Sequence, residues 1–145
     1  MIEVKVKNTS KNDLPAYATP GSSGFDLRAN VSRTSNLLPG KRAIIPTGLY
    51  FDIPEGYEIQ VRSRSGLAAN IGVMVLNSPG TIDSDYKDEI LVILCNFGEE
   101  PFEIKPGARI AQGVLMKVER VKFTKVDEIS KENDRGGGIG HTGTE

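Results

Sequence analysis

The chain has 145 residues, with 18 Lys plus Arg against 19 Asp plus Glu and a formal net charge of -1. No basic excess points to a nucleic-acid partner and no polybasic block to a membrane surface. No stretch approaches the roughly 20 consecutive apolar residues of a spanning helix, and Met1-Ile2-Glu3-Val4 goes straight into alternation, unlike a signal peptide. The expectation is one soluble, cytoplasmic domain. The single histidine, His141, and the single cysteine, Cys95, exclude zinc sites built on several such ligands, and the zinc-dependent base deaminases with them. Cys95 lies in the run Ile90-Leu91-Val92-Ile93-Leu94-Cys95 and reads as an inert core thiol.

Taken in chain order, the first expected strand is Ile2-Glu3-Val4-Lys5-Val6, where apolar and charged residues alternate. Tyr57-Glu58-Ile59-Gln60-Val61 and Phe102-Glu103-Ile104-Lys105 repeat that pattern, and Pro39-Gly40, Pro54-Glu55-Gly56, Pro79-Gly80 and Pro106-Gly107 punctuate the chain as turns. Ser65 to Asn70 is the one helix candidate, a turn or two long. Gly72 to Leu76 and Ile90 to Leu94 are too short for helices and too continuous for a solvated face, so they read as strands buried on both sides. This pattern predicts an all-β sandwich or barrel with one short helix. After residue 130 the chain turns polar and glycine-rich and cannot bury enough surface to order itself. The expected division is therefore a β domain over 1–130 and a mobile tail over 131–145.

Four constellations can carry chemistry. Asn77-Ser78-Pro79-Gly80-Thr81-Ile82-Asp83-Ser84-Asp85-Tyr86-Lys87-Asp88-Glu89 reads as a hairpin between the two apolar strands. It offers a carboxylate base beside an aromatic ring able to lie on a sugar, or else an ordinary solvated turn. It fails as a calcium loop, since Lys87 falls where a ligand is needed and Asp88 where glycine is. Arg62-Ser63-Arg64-Ser65-Gly66-Leu67 places two guanidiniums on one side of a continuing strand, next to a hydroxyl and helix-start amides, which suits phosphate. Ala108-Arg109-Ile110-Ala111-Gln112-Gly113 puts a cation and an amide on a strand. Arg135-Gly136-Gly137-Gly138-Ile139-Gly140-His141-Thr142 is either a linker or a flap whose amides approach a polyphosphate.

In their order and spacing these segments, together with Pro15 to Ala29, resemble the five motifs of the trimeric dUTPase family over about Leu14 to Gly143. The resemblance implies a distorted jelly-roll β-barrel or sandwich of the β-clip kind, assembled as a three-fold homotrimer with active sites shared between subunits and the tail supplied by a neighbour. It implies hydrolysis of dUTP to dUMP and pyrophosphate by water attack on the α-phosphorus, which lowers dUTP and supplies dUMP for thymidylate synthesis. Asp83 matches the general base, and Gln112 the residue that positions water or a phosphate oxygen. Asp26 matches the carboxylate that holds Mg2+ through water. Arg64, Ser65 and Gly66 match phosphate contacts. Asn77, with backbone groups at Gly80, Thr81, Ile82 and Leu91, matches the uracil and sugar contacts, and Tyr86 the wall against the deoxyribose. Arg135, Ile139, Gly140, His141 and Thr142 match the closing tail. Ile139 stands where the family usually has Phe, the glycine run before it is one residue shorter, and Asp88 replaces a usual glycine. Two rival readings are a dCTP-deaminating enzyme of the same fold and a phage-type binding module whose protein contact is its task.

Overall fold

The computed structural model describes residues 1–143; of the tail expected over 131–145, residues 144 and 145 lie outside the described residues. The chain forms β1 (Lys5–Asn8), β2 (Phe25–Arg28), β3 (Ser35–Leu37), β4 (Arg42–Pro46), β5 (Leu49–Asp52), β6 (Tyr57–Arg62), α1 (Ser65–Ile71), β7 (Val73–Val75), β8 (Gly80–Ile82), β9 (Leu91–Asn96), β10 (Phe102–Ile104) and β11 (Arg109–Lys117). Pairing gives a four-stranded sheet in the order β2-β11-β6-β8, a three-stranded sheet β4-β9-β7, and the pairs β1-β5 and β10-β3. Every pairing is antiparallel. This is the all-β, jelly-roll-like architecture with one short helix that the sequence predicts.

Alternation along β6 turns Ile59 and Val61 inward, where they meet Leu27, Ile90, Val92, Leu94, Ile104 and Ile110 in one apolar core. Along β11 the alternation breaks, because Ile110 and Ala111 are both buried and the register against β2 shifts between Arg109 and Ala111. The extra residue is a β-bulge. It brings Gln112 directly opposite Asp26 on one side and Arg62 on the other. α1 ends at Gly72 in the left-handed region, φ 79°, where a Cβ would come within 2.6 Å of Gly98 N. Glycine there satisfies both the turn and the close passage of the chain.

Three expectations change. β1 begins at Lys5 instead of Ile2. The segment between β7 and β9 is not a simple hairpin: β7 and β9 do pair, but Gly80–Ile82 leaves them to extend β6 as β8. Gly80 turns inward, and a Cβ there would sit 3.3 Å from both Val61 Cβ and Asn77 Nδ2, so a side chain would fit only if these neighbours gave way. The apolar strands are buried on one face only. Val73, Val75, Val92 and Leu94 point into the core, whereas Met74 and Ile93 are half-buried and Leu91 and Ile44 exposed. Among the described residues of one protomer, the outer face of β4-β9-β7 is covered only in part. Cys95 is buried as expected, and desolvation pushes its thiol pKa up.

The last regular element ends at Lys117, and Val118 N donates to Gly56 O as the chain leaves the body. Beyond it Val121 (71% exposed), Phe123 (91%) and Ile129 (79%) stand in solvent. Hydrogen bonds of residues 130–143 are local among the described residues, for example Arg135 Nε to Gly137 O at 2.7 Å and His141 N to Gly138 O at 3.0 Å.

Candidate functional site

The bulged end of β11, the start of α1 and the edge strand β2 together enclose a cavity of ≈ 280 Å³ lined by Asp26, Arg64, Ser65, Gly66, Arg109 and Gln112, with Gly24 and Ala18 at its wall. Asp26 is fixed from both sides: Arg64 Nε lies 3.1 Å from Oδ1 and Arg109 Nη1 3.4 Å from Oδ2. Arg64 Nη1 also donates to Arg109 O at 3.2 Å. These side chains are only partly covered, so the ion pairs hold geometry more than they stabilise the fold. Phe25 sets the strand beneath them. Its ring lies on Gly113 and packs edge-on against Phe51 at 6.3 Å, which locks β2 onto β11 next to Asp26. Gln112 Nε2 donates to Ser63 O at 2.9 Å, and its Oε1 occupies the space a side chain at Gly24 would need. Two guanidiniums, a hydroxyl, helix-start amides and an amide oxygen around one carboxylate make a receptor for an anion richer in charge than Asp26.

Arg62 does not join this receptor. β6 stops at Arg62, and its guanidinium turns to Gln60 Oε1 (2.8 Å) and Met116 Sδ (3.7 Å). Arg64 instead sits at the N-cap of α1 in an extended conformation. The pairing of the two arginines fails because the strand does not continue between them.

Asp83 lies elsewhere. It follows β8, beyond β6 in the sheet, and lines a separate cleft of ≈ 520 Å³ with Tyr57, Glu58, Asp85 and Glu119. Tyr86 N closes a turn onto Asp83 O at 3.2 Å, and Tyr86 Oη donates to Glu89 O at 2.8 Å. Lys87 Nζ spans Ser84 O (2.6 Å) and Asp52 Oδ1 (2.7 Å). That hydrogen bond, with the ammonium charge behind it, holds the Asp52 carboxyl below its ordinary value. Asn77 packs against Gly80, with Nδ2 3.3 Å from where a Cβ would be, and Leu91 opens β9 with its side chain exposed. Arg135, Ile139, Gly140, His141 and Thr142 line neither cleft and are exposed. One protomer thus brings Asp26, Arg64, Ser65, Gly66 and Gln112 together, keeps Asn77, Gly80, Thr81, Ile82, Asp83 and Tyr86 in a second group, and leaves the tail apart from both.

The dUTPase family model matches residues 10–143. This chain belongs to the dUTPase family. Deoxyuridine 5'-triphosphate nucleotidohydrolase from Chlamydia muridarum is 59% identical over 138 residues, covering 94% of this chain and 95% of that protein. The Chlamydia pneumoniae protein of the same name is 58% identical over 135 residues, covering 92% and 93%. Among solved structures, the dUTPase of Staphylococcus bacteriophage 80alpha with dUPNHPP superposes with a TM-score of 0.86 at 24% identity, covering 97% of this chain and 98% of that one. A mutant dUTPase from phage phi11 of S. aureus, described for its coordination of a structural Mg(II) ion, superposes at 0.80 and 21% identity, covering 88% and 99%. These two likenesses establish the fold. For this dUTPase-family chain, sequence reading passed over Arg109 as a cavity residue, although its motif contained it. It also passed over the Lys87–Asp52 tie, for which no local signal exists because the two residues meet only through tertiary packing.

No helix among the described residues is long and apolar enough to cross a membrane. No cluster of three or more His, Cys, Asp or Glu side chains poised for a metal occurs among them either. The one carboxylate of the arginine cavity suits Mg2+ nonetheless, since that ion keeps several waters and takes most of its remaining ligands from substrate phosphates.

Proposed function

We propose that this chain hydrolyses dUTP to dUMP and pyrophosphate, with Asp83 as general base, in a homotrimer whose active sites each combine the arginine cavity of one subunit with the Asp83 turn of another. The observation that carries the shared site is the separation of Asp83 and Gln112 into different clefts of one protomer. A water attacking phosphorus in line needs its base and its positioning groups within hydrogen-bond reach of one point. The open outer face of β4-β9-β7 and the exposed Val121, Phe123 and Ile129 favour the same assembly, because they are apolar surfaces that a second and third copy can cover.

In this site Arg64, Ser65, Gly66 and Gln112 bind the triphosphate. Asp83 takes the proton of the attacking water as the oxygen bonds to the α-phosphorus and pyrophosphate leaves. Asp26 would hold Mg2+ through water, and the ion would supply neutralising charge to the phosphate oxygens. Tyr86 lies against the deoxyribose, leaving no room for a 2′-hydroxyl. Asn77 and the backbone of Gly80, Thr81, Ile82 and Leu91 match uracil and mismatch the amino group of cytosine. Residues 131–145, with Arg135, Ile139, Gly140, His141 and Thr142, form a tail that closes over the nucleotide on a neighbouring subunit. The body over 1–130 carries the rest, and free dUTP as substrate suits a cytoplasmic enzyme.

Pyrophosphate and ammonia release measured across dUTP, dCTP, dTTP and UTP with magnesium tests the reading. Pyrophosphate from dUTP alone is the expected result. Ammonia from dCTP would replace it with the deaminase reading.

A further inference from the structure

We propose that Lys87 is a positioning residue for the hydrolysis, tethering the turn that carries Asp83 and Tyr86 to the edge of β5; this rests on the roles assigned above to those two residues. The ammonium joins two parts of the chain that are far apart in sequence. Lys87 Nζ donates to Ser84 O at 2.6 Å and to Asp52 Oδ1, at the end of β5, at 2.7 Å. The far end of the same segment is fastened to the same region: Gly48 N donates to Glu89 Oε1 at 2.7 Å, and Ile90 N to Leu49 O at 2.8 Å. Tyr86 Oη closes on Glu89 O between them.

The two fastenings differ in what their loss would release. Glu89 and Ile90 anchor the side of the turn that runs through buried Ile90 into β9, and the core holds that side in any case. On the other side, among the described residues, the only side-chain hydrogen bond to Asp83, Ser84 or Asp85 is that of Lys87 to Ser84 O, and Lys87 carries it on to Asp52. Without Lys87 the base keeps the β8–β6 pairing of its neighbour Ile82, and the tyrosine its bond to Glu89 O, but the turn between them loses the tie that fixes it against β5. Lys87 and Asp52 are both more than half exposed, so the pair contributes little to folding and its removal acts on position. A displacement of about 1 Å at a reacting group can cost on the order of 10²-fold in rate. A tilted Tyr86 also opens the space that a 2′-hydroxyl would fill.

The test uses the full-length protein. Lys87→Met, Lys87→Arg and Asp52→Asn are compared with wild type for kcat and KM on dUTP, for the ratio of kcat/KM on dUTP to that on UTP, and for thermal midpoint. Lys87→Met is expected to lower kcat about 10-fold or more and to narrow the dUTP to UTP ratio several-fold at an unchanged midpoint. Lys87→Arg should restore most of both, and Asp52→Asn should shift both in the direction of Lys87→Met by less. If kcat and the ratio stay within about twofold of wild type, or fall only in step with the midpoint and without rescue by arginine, Lys87 has no positioning role. Wild-type protein that does not hydrolyse dUTP would instead overturn the function on which the inference rests, so the two failures are separable.

Discussion

The arginine cavity and the Asp83 turn belong to one sheet but are assembled in opposite ways. The cavity draws Asp26, Arg64 and Arg109 from three elements and fixes them through mutual ion pairs across β2, β11 and α1. The turn takes Asp83 and Tyr86 from a few consecutive residues and is fixed by ties to β5 and to Gly48 just before it. The cavity gathers two guanidiniums, a hydroxyl and an amide around one carboxylate inside one protomer. The turn presents a carboxylate in a cleft where Glu55, Glu58, Asp85 and Glu119 outnumber the one cation, Arg120, a lining that disfavours a triphosphate. The contrast teaches that one protomer keeps its cationic cavity and its Asp83 carboxylate in separate clefts, which is what the proposed shared site requires.

The sharpest way to break this contrast is to disable each region separately. Asp83→Asn should slow turnover by roughly 10² to 10⁴-fold while dUTP binding and the fold persist. Arg64→Ala should fail chiefly in binding. When the two inactive variants are unfolded and refolded together in equal amounts, about a quarter of the sites should combine an intact base with an intact cavity. Activity in the mixture above that of either variant supports shared sites, and its absence would return both regions to one chain.

Removing the chain from Arg135 onward should leave a folded assembly with little activity, because the described tail residues make only local hydrogen bonds and bury almost nothing. Steady-state kinetics together with size measurement separate this outcome from loss of assembly. Full activity in the truncated protein would show that the cavity and the turn suffice.

A finer probe acts within the cavity alone. A methyl group in Gly24→Ala collides with Gln112 Oε1, so Gln112 must rotate away from Ser63 or β2 must shift. The expected result is a fall in kcat of about 10-fold or more from misplacing a positioning group, with the Asp83 turn intact. A structure or amide-exchange map of the variant should show change confined to β2 and β11.

The smallest effect is expected at Ile139, which is fully exposed in the protomer. An aromatic ring on a base is worth roughly 1–3 kcal/mol, and isoleucine supplies apolar contact without a π face. Ile139→Phe should therefore raise kcat/KM for dUTP and Ile139→Gly lower it, neither changing thermal stability without nucleotide. Equal kinetics in both variants would show that the shorter glycine run carries position 139 away from the base.

Much of this was written locally in the chain. Alternation at Tyr57 to Arg62 and at Phe102 to Ile104 places β6 and β10, and Ser65 onward gives the helix to within a residue, because side-chain period and turn chemistry act over a few positions. The chemical inventory was legible in part, since a carboxylate beside a tyrosine, the arginine at Arg64 and a glycine tail are properties of short segments, while the expected pairing of Arg62 with Arg64 was not realised. Tertiary structure decided how these pieces are partnered. The bulge at Arg109 sets Gln112 opposite Asp26, β8 leaves its expected hairpin to extend β6, and Arg62 is lost to Gln60 while Arg64 is captured by Asp26. Each of these depends on residues tens of positions apart competing for the same neighbours. Burial of β7 and β9 on both faces was read from their unbroken apolar character, but one protomer fills only the inner face, because hydrophobic sequence specifies that a surface must be covered and not which chain covers it.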